Sequence, residues 1–397
     1  MSAHAELHET LIAISAGTSA ARAAAMPEAE ELLDGIDWPS LTRRLQERRL
    51  LPLLGERLVQ LAGPGAPDFF VEATDRAIGE CAEHDTWLEL ISVQVMDALR
   101  DDGIASIPLK GPILARTLYG DLGRRPSVDI DVLVTREDLS RAVVAAERLG
   151  YQSAGGGVDA NALPLLHVRL SHATEGLPPL ELHWRVHWYE SRFSRELLFR
   201  SVDAAASGRP APLAHELASL LLFYARDGFV DLRLACDLGA WWDAFGSRLE
   251  PGALTAIIKD HPELERVLLA AARVSERIVG LPAAELIGDH CRPERRVLLA
   301  ERLANPDGRG SRQQLIADIW LVDWLLTPPG GRRDCIWRQL HTPGDIGSSL
   351  TSPSRRHPLA AVDRAARLIP RYGLALGRLA RDRATRRRLA PPRVSPT

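Results

Sequence analysis

The sequence contains little lysine, little cysteine and no long hydrophobic run. Its four cysteines are too widely spaced for a CxxC metal knuckle or a disulfide-rich secreted scaffold, so we expect them to be reduced and mostly buried. The longest apolar runs fall far short of the roughly 18 consecutive residues that span a bilayer, and residues 1–33 lack the basic start of a signal peptide. We therefore expect a cytoplasmic protein without membrane contact.

The charge is close to neutral in total but unevenly distributed. The 397 residues are 46% hydrophobic and 25% charged, with a formal net charge of −3, as in ordinary globular proteins. Residues 355–397 contain twelve arginines against two aspartates, whereas residues 1–354 contain 37 basic and 50 acidic residues. An acidic body is therefore followed by a basic end.

Lysine is rare in this sequence, so a lysine is unexpected wherever it occurs. Only Lys110 and Lys259 are lysine among the 49 basic residues, a bias typical of a GC-rich bacterial genome. A solvated cation in this chain would almost always be arginine. At Lys110 this indicates a position that requires a compact ammonium group.

Hydrophobic periodicity predicts four regions along the chain. Apolar residues three and four apart indicate helices before residue 102 and again after the linker near residue 207. Between them, short β-rich runs alternate with helical stretches, which indicates a mixed α/β core. The predicted regions are a helical N-terminal region (1–102), a core (103–206), a helical C-terminal domain (207–345) and a basic tail (346–397).

Within the core, two aspartates stand two residues apart on a predicted strand. Asp129 and Asp131 would point to one face of the β-rich run 128–134, while the apolar residues between them face the opposite, buried side. Two carboxylates at one spot repel each other unless a cation lies between them, and Mg²⁺ suits such oxygen ligands. The alternative is an acidic strand edge exposed to solvent.

Two neighbouring segments add groups that suit phosphate and metal. Lys110 and Gly111 end a strand where a helix begins, a place where backbone N–H groups and the helix dipole favour phosphate. The alternative for Lys110 is a solvated turn lysine. Downstream, Glu181 and His183 share one face of a further predicted strand, and Glu181 offers a third carboxylate.

These elements together resemble a known family. In the order of its elements, the sequence is similar to the bacterial uncharacterised nucleotidyltransferases of the DNA polymerase β superfamily. These elements are a strand, the Lys110-Gly111 turn, a helix ending in Leu-Tyr, the motif Arg125-x-x-x-Asp129-Ile-Asp131, a helix, a Gly-Tyr pair and the motif Glu181-Leu-His-Trp. The resemblance covers roughly residues 104–245. It implies an α+β fold, with a polymerase-β-type core of mixed sheet and helices flanked by helical N- and C-terminal regions.

The resemblance also implies a reaction and residue roles. Asp129, Asp131 and Glu181 would be the catalytic carboxylates and hold two Mg²⁺ ions, with Mn²⁺ as an alternative metal. Lys110, Gly111 and Arg125 would bind the triphosphate of an NTP, with ATP among the expected substrates. The turn differs from the superfamily's usual Gly-Ser, because Pro112 follows Gly111 and no hydroxyl is present.

The acceptor and the activity itself stay open at this point. A small molecule, a peptide or an RNA end would each accept a nucleoside monophosphate. The alternative to an enzyme is a catalytically silent nucleotide-binding or protein-interaction module with the same fold. The basic tail suggests nucleic-acid binding less strongly, because no aromatic residue is interleaved with its arginines.

Overall fold

We describe the fold from a computed structural model of the chain. The structure describes residues 3–153, 166–209, 211–288, 293–305, 311–341, 373 and 377. Apart from Gly373 and Gly377, the predicted basic tail at 346–397 lies outside the described residues. Of the cysteines, Cys81, Cys236 and Cys335 are buried free thiols, as expected, and Cys291 lies outside the described part.

Helices precede and follow a central stretch that contains the strands. The leading helices are α1 (Ala3–Ala16), α2 (Ser19–Ala24), α3 (Met26–Leu33), α4 (Trp38–Glu47), α5 (Leu51–Ala62) and the long α6 (Asp68–Asp101). The central stretch contains α7 (Pro112–Tyr119) and α8 (Leu139–Arg148). The later helices are α9 (Phe193–Ser207), α10 (Leu213–Arg226), α11 (Leu232–Phe245), α12 (Ala253–Asp260), α13 (Glu265–Val279), α14 (Ala283–Ile287), α15 (Arg295–Leu303), α16 (Arg312–Leu326) and α17 (Arg332–His341).

Five short strands form one mixed sheet. They are β1 (Ser106–Pro108), β2 (Ile130–Val134), β3 (Tyr151–Ser153), β4 (His167–His172) and β5 (Leu180–His183). Their order across the sheet is β1-β2-β5-β4-β3. Strands β2 and β5 are parallel, whereas the other neighbouring pairs are antiparallel. The parallel pairing places Asp131 directly opposite Glu181.

The two faces of the sheet have different surroundings. Ile130, Val132 and Val134 pack with Leu180 and Leu182 in a cluster that includes apolar residues of α6 and α8. This cluster occupies the face predicted to be buried. The opposite face carries Asp131 and Glu181, and its Leu133 belongs to a second cluster shared with the leading and later helices. A polar site is thus enclosed between the sheet and helices.

The predicted α+β fold is confirmed. The helix α9 was not predicted. Its beginning depends on Glu190, whose buried carboxylate accepts hydrogen bonds from the backbone N–H groups of Val186 (2.8 Å) and Ser194 (2.5 Å). Because Glu190 lies before the helix, its contribution to the helix start is not part of the apolar periodicity from which helices are predicted. The division into four regions stays a prediction.

Among the residues that the structure describes, none of the helices combines the length and apolar character needed to cross a bilayer.

Candidate active site

Three carboxylates converge at the parallel strand pair. Asp129, Asp131 and Glu181 each offer an oxygen, and these oxygens lie within 4.8 Å of one another. Asp129 immediately precedes β2, Asp131 is its second residue, and the β2–β5 register brings Glu181 beside it. The structure therefore brings together the three acidic residues that the sequence proposed as metal ligands.

The aspartates differ in their electrostatic surroundings. Burial, followed by the negative charge of Asp131, raises the pKa of Asp129 to about 6. Burial also acts to raise the pKa of Asp131, but the Lys110 ammonium and the hydrogen bond from His183 outweigh it and hold that pKa well below its usual range. Asp131 is thus a stable carboxylate, whereas nearby positive charges only partly offset the cost of ionising Asp129.

Lys110 contacts the acidic group directly. Its Nζ lies 3.2 Å from Oδ2 of Asp131, and its side chain is only 15% exposed. Gly111 follows with a φ of 78°, a left-handed conformation that favours glycine, and α7 begins at the next residue. A β-carbon on Gly111 would lie 3.7 Å from the backbone oxygen of Asp129. The turn therefore lies against the first aspartate.

Glu181 and two histidines continue the polar face of the sheet. Nε2 of His183 donates to Oδ1 of Asp131 at 2.8 Å and lies 3.4 Å from Oε2 of Glu181. Nε2 of His167 lies 3.5 Å from the same Glu181 oxygen. Burial raises the pKa of Glu181, but the His183 hydrogen bond and His167 lower it further, to about 2. Glu181 is therefore ionised.

Two overlapping groups in the described part could bind a metal. Besides the three carboxylates, His167, Glu181 and His183 have ligand atoms within 4.8 Å of one another. Both Nδ1 atoms are buried and have no hydrogen-bond partner among the described residues, whereas a metal-binding imidazole normally donates its second N–H to an acceptor. The carboxylates fit better, because they are hard oxygen donors whose mutual repulsion a divalent cation would relieve.

Arg125, which was expected to bind the triphosphate, forms a buried ion pair with Asp237. Its Nε and Nη2 donate to the carboxylate of Asp237 at 2.8–3.0 Å, and its Nη1 donates to Ser127 Oγ at 3.0 Å. Asp237, which is fully buried in α11, also accepts a hydrogen bond from the Tyr119 hydroxyl. Burial acts to lower the pKa of Arg125, but Asp237 raises it further. These contacts fix the loop before Asp129 to α11 and occupy the guanidinium.

Sequence reasoning missed two residues beside the carboxylates. They are Phe223 and Arg226, both in α10. Lys110 Nζ lies 4.6 Å and Arg226 Cζ 4.7 Å from the centroid of the Phe223 ring, and the centroid of the His183 ring lies 6.0 Å from it. No sequence signal distinguished Arg226, because arginine is abundant throughout this chain. Phe223 resembled an ordinary core residue of an apolar helix.

Comparison with known proteins gives one match. A family model described as uncharacterised nucleotidyltransferase matches residues 34–280. No curated protein and no solved structure matches the chain. The matched segment includes the sheet, both strands that carry the carboxylates, and the helices α10 and α11.

Proposed function

The chain belongs to the uncharacterised nucleotidyltransferase family, and from this premise we propose that it is a metal-dependent nucleotidyltransferase. It would move a nucleoside monophosphate from an NTP to an acceptor that carries a hydroxyl or a similar group. The convergence of Asp129, Asp131 and Glu181 within 4.8 Å is the observation that supports this proposal.

The carboxylates would hold the divalent metal, Mg²⁺ or Mn²⁺. When bound, the metal would polarise the α-phosphate and activate the acceptor hydroxyl. Asp131 is fixed for this role by Lys110 on one oxygen and His183 on the other. Each carboxylate oxygen has a second lone pair, so these contacts leave positions for a metal.

The reaction requires the triphosphate to be held in place while the bond to its α-phosphorus is exchanged. The acceptor hydroxyl gives its proton to water, its oxygen forms a bond to the α-phosphorus, the bond from that phosphorus toward the β-phosphate breaks, and pyrophosphate leaves. Lys110 Nζ and the Gly111 turn lie beside Asp131 and Asp129, so they would neutralise and orient the phosphates. Arg125 as a phosphate ligand stays a prediction, and its contacts support a positioning role for the loop before Asp129.

Transfer of a labelled nucleotide tests the proposal. The purified chain is incubated with each α-³²P-labelled NTP in turn, Mg²⁺ or Mn²⁺, and a cell extract that supplies acceptors. We expect label on a macromolecule or metabolite with wild-type protein and none with the Asp129→Asn/Asp131→Asn double variant. Glu137→Gln, at an exposed glutamate paired with Arg195, is the matched control. Metal-dependent NTP binding without transfer to any acceptor would instead indicate a catalytically silent module.

A further inference from the structure

In the described part of the chain, Arg226 has a buried donor without a partner. It is the last residue of α10, and only 12% of its side chain is exposed. Its Nε lies 3.4 Å from Oδ1 of the adjacent Asp227, which is a long and weak contact. Its Nη1 is buried and has no hydrogen-bond partner among the described residues. A buried guanidinium nitrogen in this state is costly, and an anionic ligand would remove that cost.

The position of Arg226 connects it with the candidate active site. Its guanidinium and the Lys110 ammonium both lie against the ring of Phe223, at 4.7 and 4.6 Å from the centroid. The same ring lies 6.0 Å from the ring of His183, which donates to Asp131, so Arg226 lies beside the polar face of the sheet. Two cations are thus held beside the three carboxylates by one aromatic ring.

The chemistry of these cations favours an anion at Arg226. A polyphosphate that approaches three carboxylates is repelled unless positive groups are present to receive it. Lys110 is paired with Asp131, and the Arg125 guanidinium is occupied by Asp237 and Ser127. Arg226 retains an N–H group that none of the described residues pairs with, and guanidinium is the side-chain cation that best matches phosphate geometry.

We propose that Arg226 binds the polyphosphate of the substrate, through Nη1, and holds the pyrophosphate that leaves. This inference rests on the proposed function, and it names a phosphate-binding residue on α10 rather than on the sheet. It also gives Phe223 a role, because the ring keeps two like charges beside the same site.

Inorganic pyrophosphate tests this inference without any assumption about the nucleobase or the acceptor. Isothermal titration calorimetry with Mg²⁺ compares wild type, Arg226→Gln and Arg226→Lys, each titrated with pyrophosphate, ATP and AMP. We expect Arg226→Gln to weaken pyrophosphate binding about tenfold or more, and AMP binding less than threefold. Arg226→Lys keeps the charge but loses the planar fork, so it should recover only part of the affinity.

Arg195→Gln is the matched control. Arg195 also lies over a phenylalanine ring, with its Cζ 5.3 Å from the centroid of Phe199, and it pairs with Glu137 on the surface. This variant should bind pyrophosphate as wild type does. Since no strong hydrogen bond is lost, the melting temperature of Arg226→Gln should stay within about 3 °C of wild type.

The outcomes separate this inference from the proposed function. Wild-type pyrophosphate affinity in folded Arg226→Gln would overturn the inference, as would the absence of pyrophosphate binding by wild type. If Arg226→Gln does not fold, unchanged affinity in Arg226→Lys would overturn it equally. Binding of pyrophosphate that depends on Arg226, in a protein that transfers no nucleotide, would support the phosphate site and reject the transferase.

Discussion

At the residue scale, the neighbouring aspartates should respond in opposite ways to loss of charge. Asp129 is half-buried beside other carboxylates, and its pKa is raised to about 6, so its ionised form destabilises the metal-free fold. The charge of Asp131 is stabilised by Lys110 and His183. Both charges would nevertheless be needed to hold a divalent metal.

We therefore predict that Asp129→Asn and Asp131→Asn both abolish metal-dependent nucleotide transfer but shift stability differently. In EDTA at pH 7.5, Asp129→Asn should melt at or above the wild-type temperature, and Asp131→Asn should melt below it. Differential scanning calorimetry and the transfer assay measure the two effects. Full transfer by either variant would remove the carboxylate site from the mechanism.

Lys110 allows a charge-preserving test. Its side chain is confined between the ring of Phe223 and the carboxylate of Asp131, where the wider arginine fork does not fit the same contacts. We predict that Lys110→Arg reduces NTP affinity about tenfold, or about 1.4 kcal/mol. Lys259→Arg is the matched control, because it makes the same change at the other lysine, which is exposed on α12. Equal NTP affinity in both variants would show that Lys110 does not bind phosphate.

Asp85 gives a pH-dependent prediction away from the site. This aspartate is fully buried on α6, and burial raises its pKa to about 7, against smaller opposite effects of the Ser127 backbone and Arg125. Its folded-state pKa exceeds the unfolded value, so its contribution to stability is greatest at low pH and declines as the pH rises from about 4 to 7. Asp85→Asn should remove this decline and raise the free energy of unfolding at pH 8 by about 1–2 kcal/mol.

Denaturant unfolding at pH 4 to 8 measures this effect. Asp75→Asn on the exposed face of the same helix is the control and should change stability by less than about 0.5 kcal/mol. A parallel pH profile for wild type and Asp85→Asn would contradict the assignment.

At the element scale, the sequence predicted the strands but not their pairing. The alternation of side chains along a strand predicted that Asp129 and Asp131 share one face. It predicted the same for Glu181 and His183 on another strand, and the structure has both patterns. Alternation within a strand contains no information on its neighbours. That β2 pairs with β5 in parallel, with Asp131 opposite Glu181, follows from contacts fifty residues apart in sequence. Only the resemblance to a family connected these residues beforehand.

The loop before Asp129 shows the same limit. The family resemblance implied that Arg125 binds phosphate, but no sequence pattern indicated its partner Asp237, which is 112 residues away on another helix. A buried arginine and aspartate that select each other through tertiary packing leave no local pattern. The ion pair between Arg125 and Asp237 therefore ties this loop to α11 and positions the site.

We predict that Arg125→Met destabilises the fold by about 3 kcal/mol or more, because it leaves the buried carboxylate of Asp237 without its counter-charge. Adding Asp237→Asn should recover part of this loss, since the amide still accepts the Tyr119 hydroxyl hydrogen bond. Denaturant unfolding of the two single variants and the double variant gives the coupling, which we expect to exceed about 1.5 kcal/mol. A tenfold loss of NTP affinity in Arg125→Met with unchanged stability would instead support phosphate binding by Arg125.

At the scale of the whole molecule, the family match extends beyond the recognised motifs. The motifs covered roughly residues 104–245, whereas the match covers 34–280 and so includes α4 to α13. One apolar cluster contains Leu41 and Leu54 from the leading helices together with Leu221 and Val274 from the later ones. Helices without any motif therefore contribute to the same core. Apolar periodicity predicts that a helix is buried but not which helix covers it.

The charge distribution gives the last prediction. Residues 355–397 are strongly basic and the preceding residues acidic, and the proposed site contains no residue of that segment. Deleting 355–397 should therefore leave NTP affinity within about twofold, a change of less than about 0.5 kcal/mol. If RNA is the acceptor, the truncated chain should bind it more weakly and with a shallower salt dependence, because fewer phosphate contacts release counterions. Filter binding at several salt concentrations measures the slope, and an unchanged slope would exclude the basic segment from RNA contact.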